Sequence, residues 1–280
     1  MDAERLRLTY GSLGHILSII VPLLLIGIFY IMFADSNRKV QKGFVLFLMI
    51  VNVFQHIFKA YVWYPLYHGQ FDIGMSFFCN ICGSLIILSP FIFLSKSQKL
   101  KDSMFLLGNL CSMVSIWFIT VSYGINFLSL AYIRYFTCHC ILMITSTLPV
   151  LLGLQDVEVK SFWVVGLLYI FVECLVFGND LIIVAWKNNW DWAYSYNNFY
   201  QINSLFIAHA SDVHVFDHTF MEGTVIKYVI DDGTYKYTPI LWSAPAIYAF
   251  LCVFSALVFK IFKRKPKYYD YPYDDYYYYY

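Results

Sequence analysis

Long apolar stretches, separated by short polar loops, dominate the chain. A helix needs roughly 20 consecutive apolar residues to cross a bilayer, and seven runs approach that length. They cover Leu13–Ala34, Phe44–Tyr64, Ile73–Leu94, Ser103–Tyr123, Asn126–Leu152, Phe162–Trp186 and Ile240–Phe262. The pattern therefore predicts an all-α membrane protein, a bundle of seven transmembrane helices.

The basic residues between these runs predict the orientation of the bundle. The loops SNRKVQKG and SKSQKLKD, after the first and third runs, each carry three lysines or arginines, and KIFKRKPK near the C-terminus carries five. The loops after the second and fourth runs, 65–72 and 124–125, carry none. Cytoplasmic loops of membrane proteins are enriched in basic residues. We therefore expect the N-terminus outside and the C-terminus in the cytoplasm.

This topology divides the chain into a membrane domain with two flanking segments. The division predicts an extracytoplasmic N-terminus at 1–12, a seven-helix domain at 13–262 with a long outer loop at 187–239, and a tail at 263–280. The tail is basic and then tyrosine-rich, a low-complexity composition that predicts disorder.

The long outer loop carries a turn signal and three histidines. The segment DDGTYKYT, Asp231 to Thr238, has the Asp-Asp-Gly chemistry of a β-hairpin turn. His209, His214 and His218 recur at intervals of five and four residues, a spacing that a zinc-binding helix face would use. The simpler interpretation is three surface histidines in a polar loop, because no HExxH-type motif accompanies them.

The overall composition supports the membrane assignment. Hydrophobic residues make up 60% of the chain and charged residues only 13%, whereas a soluble protein has about a quarter charged residues. The formal net charge is +1, so nothing in the composition points to nucleic acid.

Polar residues at membrane depth are the best candidates for function, because they are costly in lipid unless they face the bundle interior. Lys59 can reach the interface with its long side chain, whereas Arg134 lies too deep and should pair with an acid or a lipid phosphate. His15 suits an interfacial position or a site equally. The full set is His15, His56, Lys59, Arg134, His139, Glu173 and Asp180, with Asn109 and Asn179 as uncharged members.

The segment FFCNICGSL places Cys79 and Cys82 one helical turn apart. A disulfide between cysteines one turn apart on one helix seldom has the required geometry. Consecutive residues such as Cys138, His139 and Cys140 point about 100° apart around a helix and cannot converge on one ion. We therefore predict no metal and no cofactor.

A thiol and an imidazole remain as a candidate reactive pair. An imidazole within hydrogen-bonding reach of a thiol generates a thiolate nucleophile, which makes Cys79 with His139 the first choice. Cys82 lies one turn deeper, matches the expected depth of His139 better, and is the reserve nucleophile. Against this, free cysteines are common and inert in protein cores.

Four segments in this order resemble one protein family. They are YGSLGHILSIIVPLLL, MSFFCNICGSLIILSPFIFL, YIRYFTCHCILMITSTLPVLLGL and LVFGNDLIIV. The chain resembles the YwaF-type intramembrane protein family and, more distantly, the eukaryotic seven-helix ether-phospholipid acyltransferase. The resemblance places family positions at His15, at Cys79, Asn80 and Ile81, at His139, and at Gly178 and Asn179.

The resemblance implies acyl transfer or ester hydrolysis on a glycerophospholipid in a bacterial plasma membrane. Cys79 would attack the acyl ester, and His139 would remove its proton and later protonate the departing alkoxide. Arg134 would hold a phosphate. An oxyanion donor would come from Asn80, Asn109 or Asn179. Membrane phospholipid is the one partner that the resemblance implies.

Two other classes of function fit the same pattern. Seven spans with an outside N-terminus suit a receptor, and YIRY faintly resembles a receptor motif, although it falls in the fifth run and the seventh run lacks Asn-Pro-x-x-Tyr. Charges within the membrane suit a non-catalytic transport or scaffold protein. The relative positions of the cysteine and histidine side chains distinguish these classes from the enzyme.

Overall fold

Helices form most of the structure, a computed structural model that describes residues 6–59, 76–117, 124–191, 227–229, 235–237 and 239–262. The described helices coincide in order with the seven predicted runs. They are α1 (Leu13–Phe33), α2 (Arg38–Ile57), α3 (Ile81–Leu94), α4 (Gln98–Trp117), α5 (Leu130–Leu151), α6 (Phe162–Lys187) and α7 (Pro239–Phe262). A 3₁₀ turn, Val159–Ser161, precedes α6. The predicted tail and the outer-loop histidines lie outside the described residues.

Three helices are long and apolar enough to cross a membrane. They are α1, α2 and the segment Val159–Lys187 that contains α6. The shorter apolar helix α3 has 14 residues, or about 21 Å at 1.5 Å per residue, less than the roughly 30 Å of a bilayer core.

Helix α5 lies at the centre of one part of the bundle, where it packs against α1, α2 and α4. Helix α4 continues the bundle, because it also packs against α3 and α6, and α7 packs along α6. Four other helices, α1, α2, α3 and α6, therefore meet around α4 and α5.

The polarity of the helices is reversed relative to a soluble protein. The buried face of α1 consists of Gly14, Ser18, Pro22 and Ile26, whereas Ile31 on the same helix is 77% exposed. The Ser18 and Tyr132 hydroxyls form a hydrogen bond between α1 and α5. Small and polar residues at helix contacts with large apolar residues outside are typical of helices packed in lipid.

Helix α3 begins eight residues later than the apolar run predicts. The Asn80 side chain accepts a hydrogen bond from the Gly83 backbone N–H at 2.7 Å and so caps the helix at Ile81. Residues 77–80 form a bend, while 73–75 lie outside the described part. Our interpretation that Cys79 and Cys82 lie on one helix is therefore wrong, because Cys79 precedes the cap.

Other helix boundaries also follow capping residues. Helix α2 begins at Arg38, well before Phe44, because the Asn37 side chain accepts hydrogen bonds from the N–H groups of the first turn. Helix α5 begins after Ser129, whose hydroxyl accepts from the Tyr132 N–H. Asparagine and serine are preferred at this position because their oxygens satisfy N–H groups that the helix leaves unpaired.

One end of the bundle is basic and is held together by Asp102. Its carboxylate accepts hydrogen bonds from Gln98 Nε2 at 2.7 Å, from Ser161 Oγ at 2.6 Å and from the Glu158 N–H at 3.1 Å. Burial raises the pKa of Asp102 above its ordinary value. Burial and the neighbouring Lys42 lower the pKa of Lys101. The cationic loops after α1 and α3 thus lie at the same end.

At the opposite end the N-terminal segment pairs with the connection between α4 and α5. The Leu8 N–H donates to the Ile125 carbonyl at 2.8 Å, and the Gly124 N–H donates to the Leu8 carbonyl at 2.8 Å. Leu8 is fully buried. This short pairing fastens the start of the chain over α4 and α5.

The outer-loop region contains the hairpin that its turn residues predict. Strand β1 (Lys227–Val229) pairs antiparallel with β2 (Tyr235–Tyr237), and the register places Tyr228 opposite Lys236. The Asp-Asp-Gly sequence lies between the strands.

Candidate functional site

Five polar side chains from three helices form a cluster away from the basic end. We call this group the thiol–imidazole cluster; it consists of Cys82 of α3, Cys111 and Ser115 of α4, and Tyr135 and His139 of α5.

His139 is held in one orientation by its own helix. Its Nδ1 lies 2.8 Å from the Tyr135 carbonyl oxygen, and the two rings lie with centroids 4.3 Å apart and their planes tilted by 46°. A carbonyl can only accept, so Nδ1 carries the proton, and the lone pair is on Nε2. His139 is only 8% exposed. The ring is therefore a fixed, buried base.

Cys82 is the thiol beside this base. Its sulfur lies 3.6 Å from Ser115 Oγ, and Cys111 and His139 are its neighbouring titratable groups. Its position in the first turn of α3 favours a thiolate, because the N-terminal end of a helix carries partial positive charge.

Cys79 faces a cation. Lys59 Nζ donates a hydrogen bond to the Cys79 sulfur at 3.2 Å. No hydrogen bond among the described residues joins Cys79 to His139. A second cation, Arg134, contacts the Cys138 thiol, and Gln55 Nε2 donates to the Arg134 carbonyl at 3.2 Å. Lys59 and Arg134, which we call the cation pair, thus flank the cluster.

His56 connects the cation pair to α3. Lys59, Arg134 and His139 are its charged or titratable neighbours, and its Nε2 donates to the Phe77 carbonyl at 2.9 Å. The imidazole packs on Gly83, where an added Cβ would lie 2.5 Å from His56 Cε1. The bend before α3 and the first turn of the helix therefore pack against the His56 ring.

Three of the predicted supporting residues have contacts that a structural role explains. His15 accepts from the Gly11 N–H at 3.0 Å and donates to the Trp117 carbonyl at 2.9 Å, joining α1 to α4. Asn109 donates to the Phe105 carbonyl at 2.7 Å and accepts from Thr147 at 2.7 Å, joining α4 to α5. Asn80 is the cap of α3 described above.

Helix α6 contributes buried polar groups beside α4, where Tyr169 is a neighbour of Cys111. Glu173 contacts the Tyr169 hydroxyl, and its second oxygen, Oε2, is buried without a hydrogen-bond partner. The Asn179 amide nitrogen is likewise buried without a partner, and Asp180 is 4% exposed.

A separate small cavity lies at the basic end. Lys101, Thr145, Ser146 and Gln155 supply its polar lining. Ser146 Oγ and Gln155 Nε2 are buried without hydrogen-bond partners. In the part of the chain that the structure describes, no group of three histidine, cysteine or acidic side chains is arranged to hold a metal.

The sequence analysis missed Cys111, Ser115 and Tyr135. A signal was available, because Cys111 and Ser115 are four residues apart, as are Tyr135 and His139. Residues four apart share a helix face. The Cys111–Ser115 face and the Tyr135–His139 face would have predicted a polar contact between α4 and α5.

No family model, curated protein or solved structure matches the chain. The contacts described above single out the reactive residues, whereas the lipid-ester class of substrate is an expectation from the sequence resemblance.

Proposed function

We propose that the protein is a multi-pass membrane enzyme that transfers or hydrolyses the acyl chain of a glycerophospholipid, with Cys82 as nucleophile and His139 as general acid and base. The observation that carries the proposal is the position of the Cys82 thiol next to a histidine whose other ring nitrogen is held by a carbonyl. Membership of the YwaF-type family remains part of this proposal.

The bundle supports a membrane topology of seven spans with the N-terminus outside. The cationic loops after α1 and α3 meet at one end, as shown by the proximity of Lys42 and Lys101, and the thiol–imidazole cluster lies at the other. Under the positive-inside rule, the cluster faces the outer leaflet of a plasma membrane.

In the first step, His139 Nε2 removes the thiol proton of Cys82. The sulfur attacks the ester carbonyl carbon, the C–O bond to glycerol breaks, and His139 returns the proton to the departing alkoxide. In the second step, the hydroxyl of an acceptor lipid, or water, loses its proton to His139 and attacks the thioester. The Cys82 sulfur leaves and takes that proton, which restores the enzyme.

The start of α3 supplies donors for the oxyanion that forms in each step. The Gly83 N–H is capped by the Asn80 side chain, and the Ser84 N–H donates to the Asn80 carbonyl. Among the described residues, the N–H groups of Ile81 and Cys82 are the donors of this turn that have no hydrogen-bond partner. A backbone N–H of the nucleophile is well placed to bind developing negative charge.

The cation pair supplies the charge that a phospholipid headgroup requires. Lys59 and Arg134 lie beside the cluster rather than in it, on the side of Cys79 and Cys138. A phosphate bound between them would present the ester toward α3. Arginine binds phosphate with paired N–H groups, which gives Arg134 the stronger role.

The test is a rate measurement with a glycerophospholipid that carries a fluorescent acyl chain, supplied in mixed micelles. We expect Cys82→Ala and His139→Gln to lower acyl release by about 10²-fold or more, the usual contribution of such groups. Cys79→Ala should stay within about threefold of wild type, as should Cys140→Ala, the matched control in a separate apolar cluster.

Two other results would contradict the proposal. If Cys79→Ala lost activity while Cys82→Ala kept full activity, Cys79 rather than Cys82 would be the nucleophile. Equal rates in every variant, each shown to be folded by thermal unfolding, would remove the dyad as the source of activity.

A non-catalytic transport role is the second candidate. It is favoured by Glu173 Oε2 and Asn179 Nδ2 in α6, which are buried without partners, because unpaired polar groups at membrane depth often line a solute path. Solute or proton flux into proteoliposomes that is lost in Glu173→Gln, with no acyl release, would favour this role.

A further inference from the structure

Cys82 has a second reactive neighbour besides His139. The Cys82 and Cys111 side chains are neighbours where α3 packs on α4, and Ser115, one turn from Cys111, has its Oγ 3.6 Å from the Cys82 sulfur. Both residues are partly exposed, whereas Cys138 and Cys140 are buried. We propose that Cys82 and Cys111 form a dithiol site for thiol–disulfide exchange, with His139 as proton carrier and a small neutral organic disulfide as its class of substrate.

The two thiols come from elements that already hold each other in place. Helices α3 and α4 pack together, and the first turn of α3 is fixed by the Asn80 cap. Cys82 is the natural attacking thiol, because it lies at a helix N-terminus beside an imidazole. Cys111 lies in the interior of α4 and is placed to attack the Cys82 sulfur afterwards.

The remaining cysteines have other surroundings. All seven cysteines of the chain lie in the described residues and are free. Cys79 faces Lys59 and Cys138 contacts Arg134. Cys140 packs in the apolar cluster with Met49 and Leu148. Cys82 and Cys111 are neighbouring thiols on two helices that pack together.

The exchange balances without any further reactant. Cys82 gives its proton to His139, and its sulfur attacks one sulfur of the substrate disulfide. The substrate S–S bond breaks, and the departing thiolate takes the proton from His139. Cys111 then gives its proton to His139 and attacks the Cys82 sulfur, which expels the second substrate thiolate, and that thiolate is protonated in turn. Two protein thiols are oxidised to one disulfide, and one substrate disulfide is reduced to two thiols.

This inference shares the Cys82 sulfur with the proposed acyl transfer but does not depend on it. The exchange needs neither an ester nor the cation pair. An oxidised Cys82–Cys111 pair has no free nucleophile, so acyl release should stop on oxidation and return on reduction. Failure of the ester assay with reduced protein would leave the exchange chemistry unaffected.

The test uses the purified, fully reduced chain in detergent micelles and bis(2-hydroxyethyl) disulfide as the probe, followed by mass spectrometry of alkylated peptides. Wild type should form a Cys82–Cys111 cross-link. Cys111→Ser should instead accumulate a mercaptoethanol adduct on Cys82, because the resolving thiol is missing. Cys174 is exposed on α6 in the middle of a candidate span, so detergent covers it and it should react slowly and equally in both proteins; Cys174→Ala removes it as the matched control.

The role of the imidazole is tested by the rate of adduct formation. His139→Gln should slow modification of Cys82 at neutral pH by at least about tenfold, since a positioned base contributes about 10²-fold or more. Raising the pH toward the ordinary thiol pKa of about 8.5 should restore much of the rate, which a purely structural defect would not.

Three results would overturn the inference. One is a cross-link that maps to Cys79 and Cys82. Another is an equal Cys82 adduct in wild type and Cys111→Ser. The third is a native protein in which neither thiol reacts although both react after unfolding in denaturant. Cys111→Ala, which removes the polar atom, repeats the comparison where the serine variant fails to fold.

Discussion

The contact between Gly83 and His56 makes a sharp prediction for stability. Replacing Gly83 by alanine would place a Cβ 2.5 Å from His56 Cε1 and 2.8 Å from His56 Nε2. Carbon atoms in contact are normally about 3.5–4.0 Å apart. The imidazole would therefore have to move by about 1 Å, and its hydrogen bond to the Phe77 carbonyl, now 2.9 Å long, would stretch or break.

The expected cost combines three effects. Overpacking costs about 1–3 kcal/mol, and loss of one hydrogen bond costs about 0.5–1.5 kcal/mol. Alanine in a helix is favoured over glycine by at most about 1 kcal/mol. The free energy of unfolding of Gly83→Ala should therefore be about 1–3 kcal/mol lower than that of wild type.

The measurement is reversible unfolding in mixed micelles, followed by circular dichroism. Gly43→Ala is the matched control, because that position is also helical and nothing lies within 4 Å of the added Cβ. This control should leave the free energy of unfolding unchanged or raise it by up to about 1 kcal/mol.

A Gly83→Ala protein as stable as the Gly43→Ala protein would refute the reasoning. It would mean that the imidazole of His56 is not held against α3. A double variant with His56→Ala provides the internal check, since removing the ring should abolish most of the penalty of the alanine.

The remaining predictions concern a helix cap, a buried carboxylate and one interhelical hydrogen bond. Asn80→Ala should lower thermal stability by about 1 kcal/mol, and Asn80→Asp should restore it. Burial raises the pKa of Asp102, so the folded state holds this proton more tightly than the unfolded state. The resulting stabilisation of the folded state is complete at pH values below the ordinary aspartate pKa of about 3.9 and is lost as the pH rises through the raised pKa. Asp102→Asn should therefore remove the corresponding fall from a plot of unfolding temperature against pH. A double-mutant cycle of Ser18→Ala and Tyr132→Phe should give a coupling of about 0.6 kcal/mol, and no measurable coupling would contradict the hydrogen bond between α1 and α5.

The hydrophobic pattern predicted where the helices lie, but it placed several of their ends wrongly. Runs of apolar residues mark the part of a helix that prefers lipid, whereas the helix itself continues until its backbone groups find other partners. As the cap of α2, Asn37 lets the helix begin within the polar loop that precedes the apolar run. As the cap of α3, Asn80 makes the helix begin inside an apolar run. Reading asparagine as a preferred cap would have corrected both boundaries.

The candidate site was predictable in part. Residue chemistry and depth drew attention to Cys82 and His139, but the choice between Cys79 and Cys82 depended on where α3 begins. Cys111 reaches Cys82 from another helix, and no spacing within one segment reveals which face of α4 turns toward α3. Such information exists only once the helices have been packed.

The fastening of the N-terminal segment and α1 to α5 has a consequence for biosynthesis. Ser18 and its partner Tyr132 are 114 residues apart. Because protein synthesis adds about 5–20 residues per second, Tyr132 is made about 6–23 s after Ser18. During that interval α1 must persist in the bilayer without its final neighbours. Its mean hydropathy of 2.8 is the highest among the candidate spans, which suits a segment that enters lipid early and is docked late by a helix from the middle of the chain.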